Sequence, residues 1–152
     1  MAKRMILQSF SAGASAVKLQ LVQNNMFSKD KIDRSKNELS FEDFKNLVDY
    51  GREIGIDVFA TAFNEETLDW CLKLKTKFLK IAARTHKENP KLVQDILKLK
   101  KTTFISIRPE EVKNFKFEKN KNFIYLSCIS NYPTSTGEQQ MSFLKRLKNF
   151  SN

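Results

Sequence analysis

The side chains of this chain that could do chemistry fall near the carboxyl ends of apolar runs. Lys18 and Gln20 lie in Ala16-Val17-Lys18-Leu19-Gln20-Leu21, and Thr61 closes Ile56-Asp57-Val58-Phe59-Ala60-Thr61. Lys80 alternates with apolar neighbours in Lys77-Phe78-Leu79-Lys80-Ile81-Ala82, with Arg84 just beyond. Ser106 and Arg108 end the run that starts at Thr102, and Ser130, Asn131 and Tyr132 follow the run Asn122-Phe123-Ile124-Tyr125-Leu126-Ser127-Cys128. Runs of β-branched and aromatic residues of this length read as strands. Ammonium, guanidinium, hydroxyl and amide groups leaving strands at one end are the donors that a small anion needs. Thr61 is followed at once by a helix start at Asn64, where free N–H groups add to the attraction. The same lysines would serve equally as plain solvent-facing charges, so the spacing by itself leaves both readings open.

The element that positions Thr61 is the segment Leu39 to Phe63. Ser40 caps a helix whose third residue, Asp43, completes a box that satisfies the first free N–H groups. Phe41, Phe44, Leu47, Val48 and Ile54 recur at steps of three and four, which places them on one buried face. Gly55 ends the helix in the left-handed conformation, and the strand to Thr61 follows. Upstream, residues 3 to 10 predict a helix with Ile6, Leu7 and Phe10 on one side, stopped at Gly13. In the strand from Ala16, Val17, Leu19 and Leu21 face one way while Lys18 and Gln20 face the other. A polar connection from Val22 to Glu38 follows, of a length that compact domains usually reserve for function, and it is expected to be a substrate-side loop.

Beyond Thr61, Glu65 to Leu74 predicts a helix with Leu68, Cys71 and Leu72 inward. Asn89-Pro90 then starts one with Leu92, Val93, Ile96, Leu97 and Leu99 buried. Arg108 to Val112 opens a short helix before the fifth strand. A last amphipathic helix uses Met141, Phe143, Leu144 and Leu147. Five strands separated by helices call for an α/β fold, a parallel sheet with right-handed crossovers. In such folds ligands sit at the strands' carboxyl ends, where all the polar residues named above emerge.

Composition narrows the function classes. The 152 residues are 41% hydrophobic with thirteen phenylalanines, enough for one domain with a core. No apolar run reaches the length of a membrane span, and the residues behind Met1-Ala2-Lys3-Arg4 turn polar too soon for a signal peptide, so a cytoplasmic location is expected. The net charge of +10, from 27 Lys and Arg against 17 Asp and Glu, invites a nucleic-acid partner. The lysines are scattered, however, and form no continuous basic stripe. The densest stretch, Lys113 to Lys121, reads as a solvated connector anchored by Phe115 and Phe117. Cys71 and Cys128 sit far apart in apolar contexts and are expected to be buried, reduced thiols.

Several blocks resemble the sialic acid synthase family. They are Ala12-Gly13-Ala14-Ser15-Ala16-Val17-Lys18-Leu19-Gln20, Leu39-Ser40-Phe41-Glu42-Asp43-Phe44, Gly55-Ile56 through Phe59-Ala60-Thr61-Ala62-Phe63, Leu79-Lys80-Ile81, and Leu126-Ser127-Cys128-Ile129-Ser130-Asn131-Tyr132-Pro133. They occur in the family's order and span nearly the whole chain. The resemblance implies a TIM-type barrel that condenses phosphoenolpyruvate with an open-chain N-acetylated amino sugar, giving a nine-carbon sugar acid and phosphate. It also implies that Lys18 and Lys80 bind phosphoenolpyruvate, that Thr61 supplies a hydroxyl contact, and that Ser130, Asn131 and Tyr132 touch both substrates, with Gln20 beside them. A dianionic substrate with a phosphate and a carboxylate suits two fixed cations and a few neutral donors.

The departures from the family are specific. Its Ile-Gly-Ser-Gly-Glu block is Ile81-Ala82-Ala83-Arg84-Thr85 here, so a serine becomes Ala83 and a carboxylate becomes Thr85. Its Ser-Thr-Gly-Met strand end is Ser106-Ile107-Arg108-Pro109, the proline of its Thr-Pro-Phe element is Ala62, and the histidine usual before Cys128 is Ser127. The family uses a divalent metal such as manganese, held by two histidines. The one histidine here, His86, has no partner at ligand spacing and is expected to be a solvated loop residue, so no metal is assigned. The expected architecture is a single incomplete domain over residues 1 to 152: a partial TIM-type (β/α) barrel of about five parallel strands alternating with helices, lacking the first and last two strands. A synthase-like protein impaired on its own is the first expectation. The alternatives are a non-catalytic anion- or sugar-binding module and one half of a split synthase, completed by a second chain.

Overall fold

The structure, a computed structural model, describes residues 1–23, 36, 38–131, 133–138 and 142–147. The polar connection expected as a substrate-side loop lies mostly outside the described residues. Two compact units divide the chain, Met1–Leu79 and Lys80–Asn152.

The first unit begins with α1 (Ala2–Ser11), β1 (Ala16–Gln20), α2 (Phe41–Ile54), β2 (Asp57–Thr61) and α3 (Glu65–Lys73). Both later helices are started by their own sequence. The Ser40 hydroxyl accepts from the Asp43 N–H at 3.0 Å while the Asp43 carboxylate accepts from the Ser40 N–H, and Asn64 and Thr67 repeat the device for α3. Gly55 ends α2 at φ 86°, a conformation that costs a side-chain-bearing residue about 1 kcal/mol or more.

Strands β1 and β2 pair in parallel, with Lys18 opposite Phe59 and Gln20 opposite Thr61. Side chains alternate along a strand, so Lys18, Gln20, Phe59 and Thr61 share one face, and Val17, Leu19, Val58 and Ala60 the other. Helix α2 lies against that second face. A Cβ on Gly51 would stand 2.4 Å from Val58 Cγ2 and 2.8 Å from the Ile56 carbonyl oxygen, which shows how closely helix and strand approach. Phe44, Leu47 and Val48 fill the interface, all buried.

In α1 only Ile6 is buried; Leu7 and Phe10, expected beside it, are 44% and 43% exposed. The elements packed most closely on α1 are α2 and β1, and they leave Leu7 and Phe10 largely uncovered.

The second unit follows β3 (Leu79–Ile81), which starts at the boundary, with α4 (Thr85–Glu88), α5 (Pro90–Lys98), β4 (Thr103–Ile107), β5 (Phe123–Ser127) and α6 (Ser142–Leu147). Asn89 caps α5 by accepting from the Leu92 N–H, and Pro90 takes the first helical position. Leu92, Val93 and Ile96 are buried, but Leu99 is 40% exposed because it caps the helix just before Lys100 turns the chain at φ 52°. In α6, Phe143 and Leu147 are buried while Leu144 is exposed. Met141 lies outside the described residues.

Strands β4 and β5 pair in parallel, with Ile105 opposite Tyr125 and Ser106 opposite Leu126. Their connection forms a six-residue 3₁₀ turn, Pro109–Asn114, and then runs without regular structure to a turn at Lys121 and Asn122. Aromatic packing fastens it: Phe115 and Phe117 meet edge to face at 5.0 Å, and Tyr125 packs on both at 6.1 and 5.1 Å. The Tyr125 hydroxyl donates to the Glu118 carbonyl at 2.8 Å and accepts from the Glu118 N–H at 2.9 Å.

The five strands follow one another in the sheet in chain order, β1-β2-β3-β4-β5, an unclosed segment of a (β/α) barrel. No helix among the described residues is long and apolar enough to cross a membrane.

Candidate functional site

Strand alternation and register decide what the first unit presents. Lys18 and Gln20 are exposed on β1, and Thr61, directly opposite Gln20, is 2% exposed. Past the strand ends a polar chain continues: Asn64 Nδ2 donates to Gln23 Oε1 at 2.9 Å, and Gln23 Nε2 donates to Glu66 Oε2 at 3.2 Å. Gln23 and Glu66 escaped sequence reasoning, since 43 residues separate them and neither belongs to a recognisable spacing.

The second unit holds the better-defined centre. Lys80 is 7% exposed, and its Nζ donates to the neighbouring Ile81 carbonyl at 2.7 Å and to Ser106 Oγ at 2.6 Å. Ser106, itself 6% exposed, comes from β4, so the bond joins two strands through side chains at the end where a barrel keeps its chemistry. An ammonium taken out of water needs acceptors, and two short ones meet that need.

Around this pair the charged groups are mutually committed. Arg108 pairs with Glu111 through its guanidinium and with Glu110 at 3.5 Å. The Glu111 bond holds Arg108 above its usual pKa. Burial works to raise the Glu111 carboxyl, yet its bonds to Arg108 outweigh that and keep it below the usual range. Arg84, the residue before α4, pairs with Glu88 at its end at 2.7 Å, an arrangement open to solvent and worth little.

His86 differs from its expected state. It lies in α4, half-buried, with Nε2 3.1 Å from the Ser106 carbonyl oxygen and its ring edge-on to Phe115 at 5.0 Å. Burial pushes its pKa below the ordinary histidine value. Cys71 is buried as expected, whereas Cys128, one residue past β5, is only half-buried; both are free thiols. Ser130 and Asn131 are exposed beyond β5, and Tyr132 lies outside the described residues. Among the described residues no three His, Cys, Asp or Glu side chains are grouped to hold a metal ion.

The sequence model of the NeuB family matches residues 5–151. The chain belongs to the NeuB family. It is 26% identical to the pseudaminic acid synthase of Campylobacter jejuni, covering 97% of this chain and 50% of that one. Its fold matches that of a citrate-bound N-acetylneuraminic acid synthetase from Leptospira borgpetersenii with a TM-score of 0.76 at 26% identity, over 97% of this chain and 55% of the other. A spore coat polysaccharide biosynthesis protein of Bacillus subtilis shares the fold with a TM-score of 0.77 at 24% identity, over 97% and 45% of the two chains. The chain spans about half the length of the curated relatives it matches.

Membership sharpens the departures in the stretch after Lys80. Ala83 and Thr85 are 3% and 2% exposed, and the Thr85 hydroxyl makes no hydrogen bond. A buried hydroxyl without a partner costs about 1–3 kcal/mol relative to a satisfied one. Thr85 is therefore a buried hydroxyl whose hydrogen-bonding capacity is unmet.

Proposed function

We propose that this NeuB-family chain takes part in nonulosonate biosynthesis by binding phosphoenolpyruvate, with Lys80 as the principal cation for the anion. The observation that carries the reading is the buried Lys80 ammonium, held by Ser106 Oγ and the Ile81 carbonyl in a chain that matches the family over residues 5–151. A point charge already fixed by acceptors loses little freedom on meeting a phosphate or carboxylate. By resemblance to the family, Lys18, Gln20 and Thr61, which share one face of β1 and β2, are further substrate-binding residues, and Ser130, Asn131 and Tyr132 are the residues that touch both phosphoenolpyruvate and the N-acetylated amino sugar.

The chemistry of the whole reaction asks more than binding. Carbon–carbon bond formation requires the enol carbon of phosphoenolpyruvate to attack the sugar aldehyde, water to add, and phosphate to leave. Proton transfers accompany these steps. Thr85 and Ala83 cannot act as general acid or base, and no step of the proposal runs through a metal. The chain alone therefore binds the three-carbon substrate without turning it over. A second polypeptide that completes the five-strand sheet is the partner that would restore turnover.

Calorimetric titration with phosphoenolpyruvate tests this reading. Saturable binding by the full chain, weakened at least about tenfold by Lys80→Ala while the protein stays folded, supports it. Absence of binding, or binding indifferent to Lys80→Ala, refutes it. Phosphate release from the chain alone, with phosphoenolpyruvate and an N-acetylated amino sugar present, would refute the claim that it binds without turnover.

A further inference from the structure

Ser106 is bonded from two sides. Its hydroxyl accepts from Lys80 Nζ at 2.6 Å, and its carbonyl oxygen lies 3.1 Å from His86 Nε2. A carbonyl has no proton to give, so His86 is the donor and carries its hydrogen on Nε2. The ring cannot easily turn away, because Phe115 packs edge-on against it at 5.0 Å and is itself braced by Phe117 and Tyr125. The charged groups that act on the imidazole come from each neighbouring segment: Glu111 from the 3₁₀ turn, Arg108 just before it, and Lys80 from β3.

A lysine has four rotatable bonds, and of the two acceptors on Nζ the Ile81 carbonyl belongs to its own strand, so Ser106 Oγ is the one that ties the ammonium to β4, and it does so only as well as that oxygen is itself defined. Ser106 is the last residue but one of β4; the Cys128 N–H holds the next carbonyl, that of Ile107, from the β5 side, and His86 meets the Ser106 carbonyl. We propose that His86 is a positioning residue: by donating to the Ser106 carbonyl it fixes the Ser106 hydroxyl, and through it the Lys80 ammonium, in the attitude at which an anion is met. The role of that anion rests on the function proposed above; the link between His86 and Lys80 does not. His86 touches no ligand in this scheme; its charge also reaches Lys80 through space, but the positioning runs through Ser106.

The decisive experiment observes Lys80 directly, in the full chain with ¹⁵N-labelled lysine, by nuclear magnetic resonance from about pH 8 down to about pH 5. The Lys80 ammonium signal of the unaltered protein is expected to move along the titration curve of the His86 ring. In His86→Gln, which keeps a donor at similar reach, the signal persists without that movement; in His86→Leu it broadens into exchange with water. In parallel, phosphoenolpyruvate binding falls about tenfold in His86→Leu and stays within about twofold in His86→Gln.

A Lys80 signal that ignores the His86 titration, or that moves identically in His86→Gln, overturns the proposal, and this holds even if His86→Leu fails to fold. A protein that shows the linked signals but binds no phosphoenolpyruvate would overturn the ligand assignment and leave the link standing. Undiminished binding by a folded His86→Leu would do the reverse.

Discussion

Residues 40–74 and residues 103–127 each join a strand to its surroundings, but they are held by different kinds of force. In the first stretch, two helices carry their own starting boxes, a glycine ends one of them, and a bare Cα at Gly51 lets α2 settle on Val58. In the second, no α-helix links β4 to β5; a short 3₁₀ turn and an irregular run are fastened by Phe115, Phe117 and the two-way bond between Tyr125 and Glu118. Helices settle their backbone hydrogen bonds internally, so such a stretch depends on shape. An irregular connector has no such reserve and depends on a few anchors.

That contrast can be broken most forcefully at Gly51. A methyl group there meets both a stiff β-branched side chain and a backbone oxygen, so Gly51→Ala should destabilise the fold by about 1–3 kcal/mol in chemical unfolding. Unchanged stability would mean that the helix rests less tightly on β2 than the 2.4 Å approach indicates. A smaller effect is expected at the connector. Tyr125→Phe keeps the ring contacts but leaves the Glu118 N–H and carbonyl without their partner, and the cost should be about 1 kcal/mol. Hydrogen exchange should quicken between residues 109 and 125 while α2 keeps its protection; a uniform change would erase the distinction between the two stretches.

The smallest effect is a pH slope. Burial lowers the pKa of His86 in the folded state, so the unfolded chain binds its proton more readily. The stability this histidine contributes is fully present above its unfolded pKa of about 6.5 and is lost as pH falls through the lower folded value. Glu111 also has a depressed pKa, but its contribution fades only below about pH 4.3, the unfolded glutamate value. Between about pH 5 and pH 7, then, His86→Gln should flatten a gentle upward slope of stability with pH, followed by denaturant midpoints. An unaltered slope would assign it to other groups.

How much of this was legible beforehand follows the same division. The α2–β2 segment could be read almost residue by residue, because its cap, apolar period and terminating Gly55 are local signals. Alternation placed Lys80 in a strand among apolar neighbours. The family blocks then marked it, with Lys18 and Thr61, as a residue for anion binding. His86 was not legible: its partners, the Ser106 carbonyl and the Phe115 ring, lie twenty and more positions downstream, and nothing local distinguishes it from a solvated histidine. Leu7, Phe10 and Leu99 fit helical periodicity yet remain exposed, since period tells which residues share a face and says nothing of how wide the covering element will be. The Lys113–Lys121 stretch, by contrast, proved to be a connector with two phenylalanine anchors, as its composition suggested.

The two cysteines give the molecule a pair of built-in clocks. Cys71, in Met1–Leu79, is fully buried, and Cys128, half-buried, belongs to Lys80–Asn152, so each compact unit owns one thiol. Alkylation of the first must wait for its unit to breathe open, while the second is open to reagent with little rearrangement. Timing the two reactions in one sample would show whether the halves of the chain come apart together or each at its own pace.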